Sequence, residues 1–224
     1  MQSCDRSERR DRDRRQNRRM AKVGMLRFDA SDLVERLDSL PPPLRAIFAA
    51  ACAERLLPAY LSFRGKGDDA STMSRALARI WLEPSPGEQG EAAEIEIEQI
   101  MAITPQDDGF DGVWDQSVTN AQNAGMSVVY ALRAKLSGMA QEAAWAAQVA
   151  YEALDNYVSN KEYVNTSKPS AESPVISHPL VQAELARQGA DLHDLETASS
   201  DAYRAVIEQL HTRAKVDAAR FFRG

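Results

Sequence analysis

Between Leu44 and Phe63 the chain reads LRAIFAAACAERLLPAYLSF, an apolar run interrupted by an adjacent charge pair, Glu54 and Arg55, and by Pro58. Alanine and leucine are strong helix formers, and every position from Ala46 to Ala53 is apolar. A helix here has no solvated face and needs cover on most sides. Pro58 has no amide hydrogen and crowds the carbonyl of Glu54, which predicts a kink or an end to the helix there. Glu54 and Arg55 project about 100° apart on a helix, so each needs a partner of its own if it is buried.

The same periodicity sets out the flanking elements. Asp29 is a good N-cap with Asp32 three residues on, and Phe28 and Leu33 occupy the positions of a hydrophobic staple. Leu33, Val34, Leu37 and Leu40 then form one face, and Pro41 to Pro43 end this helix and launch the central one. A third helix, capped by Asp69 or Ser71, is expected through Trp81, and a fourth over EAAEIEIEQIMAI, its glutamates forming a solvated face. From Val113 to Leu136 apolar residues recur at helical spacing, with Gly125 placed for a close helix crossing and Gly138 as the terminating residue. Seven of the fourteen residues from Ala140 to Ala153 are alanine, predicting a second interior helix from Gln141 to Val158 with Trp145, Tyr151, Leu154 and Tyr157 filling gaps. Residues 165–179 read as the longest loop. A final helical region runs from Pro179 towards Arg220, with a break expected near Gly189. The architecture expected is all-α, a single compact bundle of about seven helices.

Glu54, Arg55, Pro58, Tyr60 and Phe63 form an ERxxPxYxxF pattern, and Ile80, Trp81 and the stretch from Phe110 to Gly138, with Asp115 early and Leu136, Ser137 and Gly138 at its end, extend it. In these residues the chain resembles the bacterial YjaG-like family, domain of unknown function 416. The resemblance covers roughly Met25 to the C-terminus. It implies a compact all-helical fold and no established activity; Leu57 stands where it implies an aromatic residue.

Charge divides the chain in two. Residues 1–24 hold eight arginines and one lysine against four acids, a net of +5, and since the whole chain carries −6, residues 25–224 carry −11. Residues 1–24 are expected to be a disordered arginine-rich tail, or an upstream extension with translation starting at Met20 or Met25. Residues 25–224 are expected to form one helical domain. Acidic bodies lack an electrostatic reason to approach nucleic acid or anionic lipid, so nucleic-acid binding is expected only weakly and through the tail. Cys4 and Cys52 imply no disulfide framework, and no apolar run reaches membrane-spanning length free of charge. A cytoplasmic address without membrane association follows as the expectation.

Motifs for chemistry are sparse. Gly65-Lys66-Gly67 lacks the order and the preceding strand of a phosphate-binding loop. Glu208 and His211 have the Glu-x-x-His spacing of di-iron bundles, but His178 and His193 are not preceded by glutamate at that spacing, so no metal or cofactor is expected. Asp111 and Asp115 lie four apart at a helix start, where acids cap amides. The residues singled out are Glu54, Arg55, Tyr60 and Asp115, as a structural ion-pair network, with Arg55 to Asp115 a bridge between helices, or as the lining of a pocket. The leading functional expectation is a non-enzymatic module that binds a protein partner. The alternatives are an enzyme or small-ligand binder with a pocket around those four residues, and nucleic-acid binding through the tail. Oligomeric state is left open.

Overall fold

The computed structural model describes residues 24–64, 68–82, 90–106, 115–161 and 172–221. The apolar run becomes the 23-residue helix around which the other elements pack. In chain order the helices are α1 (Ala30–Asp38), α2 (Pro42–Arg64), α3 (Asp68–Leu82), α4 (Gly90–Ile103), α5 (Gln116–Ser137), α6 (Ala140–Lys161), α7 (Glu172–Ile176), α8 (Pro179–Thr197) and, after a 3-10 turn at Ser200–Ala202, α9 (Tyr203–Phe221). These described residues contain no strand. Residues 1–23, Gly65 to Gly67 and Asp111 lie outside them.

Helix α2 lies against α5 along most of its length and is further enclosed by α6, α9 and α3. Ala46 to Ala53 are completely shielded from solvent, as a helix without a polar face requires. By length and composition Pro42–Phe63 could also cross a membrane, but 78% of its apolar window is covered by the rest of this chain. Pro58 neither ends the helix nor marks its last turn, since α2 continues six residues beyond it to Arg64. The fixed φ of proline is a helical one, and Ala59 and Tyr60, which follow it directly, are both buried in the core.

The Asp29 carboxylate caps α1 by accepting from the amides of Ser31 and Asp32 at 3.0 and 3.1 Å. Arg45, at the start of α2, donates to the carbonyls of Leu40, Asp38 and Gly138 at 2.8–2.9 Å, tying the α1–α2 corner to the α5–α6 turn. Gly138 turns that corner at φ +68°, a conformation that glycine adopts without steric cost. Gly125 lies directly against Thr104 at the end of α4, and a Cβ there would come 2.2 Å from Thr104 Oγ1.

Three expectations are corrected. The Ser- and Pro-rich segment is not loop to its end, because residues 172–176 form α7, and Val175 joins Leu154, Val158, Val181 and Leu185 in a small second core. The break in the last helical region falls at Ala198–Ser199 instead of Gly189, where α8 runs straight through. A Cβ at position 189 would meet nothing within 4 Å, so the glycine marks no bend or close contact. Trp145 fills no interior gap: it is 38% exposed, and alanines supply the buried face of α6.

Candidate functional site

Two arrangements of polar residues touch the central helix, one sealed and one open. The sealed one centres on Arg55, which is 1% exposed. Its Nε and Nη2 donate to the two carboxylate oxygens of Glu184 at 2.9 and 2.8 Å, and its Nη1 donates to Asp191 at 2.8 Å. Nη2 also donates to the Cys52 sulfur at 3.4 Å. Arg213 from α9 closes the other side of Asp191 and reaches Asp194 at 2.8 Å. Gln188 braces Glu184, donating to it at 2.8 Å and to the carbonyl of Ala147 at 3.0 Å. The cluster therefore joins α2, α6, α8 and α9. Burial depresses the basicity of Arg55, but Glu184, Cys52 and Asp191 outweigh it and hold the guanidinium well above its ordinary value, so it stays charged. Burial likewise pushes the Cys52 thiol far up, which keeps it protonated and a poor nucleophile.

Of the four residues singled out from the sequence, only Arg55 belongs to this cluster. The expected bridge from Arg55 to Asp115 is absent. Asp115 is the exposed N-cap of α5, accepting from the amides of Ser117 and Val118 at 2.8 and 3.2 Å. Those bonds, with the one from the Ser117 hydroxyl foremost, lower its pKa. Its carboxylate serves its own helix end, where the dipole and free amides favour it. Tyr60 is buried and donates to the carbonyl of Ile103 at 2.9 Å, bracing the end of α4. The missed partners, Glu184, Gln188 and Asp191, repeat at i, i+4 and i+7 of α8. Only this polar column, running between Val181, Leu185, Leu192 and Leu195, signalled them.

Glu54 takes part in the open arrangement. Its carboxylate accepts from the Trp81 indole nitrogen at 3.3 Å, and Trp81 in turn stacks on His211 of α9, ring centres 4.5 Å apart and planes 23° apart. Trp81 and His211 line a cleft of about 620 Å³ between the end of α3 and the first half of α9, completed by Ala78, Leu82, Arg204, Ile207 and Glu208. Leu82 stands on its rim with 81% of its surface exposed. Arg204 and Glu208 pair across one turn at 3.2 Å in full solvent, a contact weak enough to exchange for others. Burial, and secondarily Lys215, lowers the pKa of His211, so at neutral pH the imidazole is uncharged. A second cleft of about 220 Å³ lies between α1 and α8, and none of Glu54, Arg55, Tyr60 and Asp115 lines either one.

Burial raises the pKa of Glu54 against the opposing hydrogen bond from Trp81 and the charge of Lys215. An acid whose folded pKa lies above its unfolded value of 4.5 costs stability above that range, and the cost vanishes once it is protonated in both states. Glu54→Gln, which keeps the acceptor for Trp81, is therefore expected to melt above wild type at pH 8. The two should converge as pH falls through 4.5, and equal melting temperatures across the whole range would contradict the shift.

Chemically the open cleft offers an apolar floor, a flat aromatic wall, a neutral imidazole and an exchangeable charge pair. No group of three or more His, Cys, Asp or Glu side chains is gathered for a metal among the described residues.

A sequence model for a family described as a protein of unknown function, DUF416, matches residues 32–218. A crystal structure of a DUF416 family protein from Shewanella baltica OS155 superposes with a TM-score of 0.67 at 19% identity, covering 81% of this chain and 92% of that one. At that identity the likeness concerns the fold. No curated protein matches the sequence.

Proposed function

Starting from a chain that belongs to the DUF416 family, we propose a non-enzymatic protein-interaction module that receives a partner segment in the cleft between α3 and α9. The observation that carries this reading is Leu82, 81% exposed on the rim beside the Trp81–His211 stack. Together with Ala78, Ile207 and the Trp81 ring it forms an apolar lining that a partner segment can remove from water. The Arg55 cluster speaks for a structural role at the other polar site. Arg55, Glu184 and Asp191 are 1–2% exposed and already bonded to one another, which leaves none of the three to meet a ligand. The partner this cleft suits presents an apolar side chain next to a basic one, since Glu208 on the rim is 68% exposed and residues 25–224 carry a net −11.

The test is affinity purification of the full chain from its host beside Leu82→Asp and Glu208→Lys variants. A stoichiometric protein captured by wild type and lost with Leu82→Asp, at unchanged melting temperature, supports the reading. Equal capture by all three overturns it. The cleft volume also suits a small molecule, since ligand pockets run from about 300 to 1,000 Å³. A flat apolar ligand that raises the melting temperature of wild type but not of Leu82→Asp would transfer the site to that second reading.

A further inference from the structure

One wall of the smaller cleft, of about 220 Å³ between α1 and α8, is a short segment anchored on both sides of Arg27. The Gln182 side chain of α8 pairs with the backbone of Leu26, accepting from its amide at 2.8 Å and donating to its carbonyl at 2.9 Å. Phe28 stacks on Tyr151 of α6, ring centres 5.3 Å and planes 9° apart. Arg27 is thus held between two fixed neighbours at the edge of the cleft, whose floor is the buried apolar trio Leu33, Leu185 and Leu192. Three polar groups around that floor are uncommitted. Arg27 makes no hydrogen bond or ion pair among the described residues; its Nε is shut off from water, but its terminal nitrogens are not. The Asp32 carboxylate likewise accepts no hydrogen bond among them and acts on Arg36 only through space. Gln188 is 5% exposed, and its Nε2 donates to two acceptors, the Ala147 carbonyl and Glu184. That fixes the orientation of the amide and leaves its Oε1 as an acceptor without a partner, not sealed from solvent. The other two charges on the cleft are spent, since Arg36 holds both carboxylate oxygens of Glu196 and Asp29 caps α1.

We propose that this cleft binds a free α-amino acid with an apolar side chain. Arg27 and Asp32 border one cleft without pairing with each other, so it presents a cation, an anion and a neutral acceptor around an apolar floor. A guanidinium takes a carboxylate, and a carboxylate with an amide oxygen takes an ammonium. A zwitterion supplies both counter-charges at once, which neither a simple acid nor a simple amine does. Its side chain lies on Leu33, Leu185 and Leu192, where removal from water favours an aliphatic or aromatic group. At roughly 30 Å³ for each water in the liquid, the cleft has the room of about seven waters, enough for a molecule the size of leucine. Gly189 borders it from α8, and because a Cβ there meets nothing within 4 Å, a larger side chain at this position can enter the space without disturbing the helix. This inference is independent of the cleft between α3 and α9.

The test is titration calorimetry of the full chain with L-leucine, L-methionine and L-phenylalanine, beside leucinamide, which lacks the carboxylate, and 4-methylpentanoate, which lacks the ammonium. At least one of the three amino acids is expected to bind saturably, and both leucine analogues at least about tenfold more weakly than leucine, the loss of one charge-assisted contact. Arg27→Gln should weaken leucine by a similar factor and leave leucinamide unchanged, and Asp32→Asn should weaken leucine and leave 4-methylpentanoate unchanged. Gly189→Leu is expected to melt at or above wild type, since leucine favours a helix over glycine, and to bind none of them. No saturable binding of the three amino acids up to about 10 mM, analogues that bind as well as leucine, or binding that Gly189→Leu leaves intact would each overturn the proposal. The comparison of leucine with its two analogues uses wild type alone, so it decides the matter even where a variant does not fold.

Discussion

Replacing Arg55 with methionine is expected to cost about 3–5 kcal/mol of folding stability, a large share of the roughly 5–15 kcal/mol available to a domain. The loss does not come from the guanidinium itself. Methionine refills much of the volume, but Glu184 is left buried at 1% exposure with only Gln188 donating to it. Asp191 suffers less, since Arg213 still holds it. That difference makes a second variant informative: Arg55→Met combined with Glu184→Leu removes the stranded charge and should regain more than half of what the single change loses. Urea denaturation of the two variants checks this, and a double variant no more stable than the single would count against the pairing account. Reversing charge at Arg55 and Asp115 together should rescue nothing, because Asp115 caps α5 and holds no contact with Arg55.

Gly125→Ala is the second large effect, expected at about 1–3 kcal/mol of destabilisation from overpacking. The added methyl would lie 2.2 Å from Thr104 Oγ1, 2.7 Å from Cγ2 and 2.9 Å from Cβ, all closer than real atoms approach. Thr104 cannot swing away cheaply. It is 3% exposed, and its hydroxyl donates to the Ile100 carbonyl at 2.7 Å, closing the end of α4. Shortening it to alanine clears two of the three collisions and leaves Cβ at 2.9 Å, so Gly125→Ala with Thr104→Ala should recover only part of the loss. If Gly125→Ala melts with wild type, the contact between α4 and α5 is looser than described.

The Gly125 crossing, the Asp29 cap, the Gly138 turn and the buried run of α2 are all legible in the sequence, because each depends on the chemistry of the residues at that place. A run with no polar face must be covered whatever covers it, and a left-handed turn needs glycine wherever the turn leads. The Arg55 cluster was legible only by half. A buried arginine demands carboxylates, yet Glu184 and Asp191 lie 129 and 136 residues away, and nothing in the spacing says which of 33 acids will arrive. Asp115 looked equally suitable and proved to be engaged by its own helix. Trp145 followed the same logic in reverse. Hydrophobicity predicts burial on average, but alanines already supply the inner face of α6, and a ring that large is turned outward. Partners across the bundle, the rim on which Leu82 stands and the face on which Trp145 is left open are properties of how the helices are placed against one another, and that placement is set by the packing of the whole core.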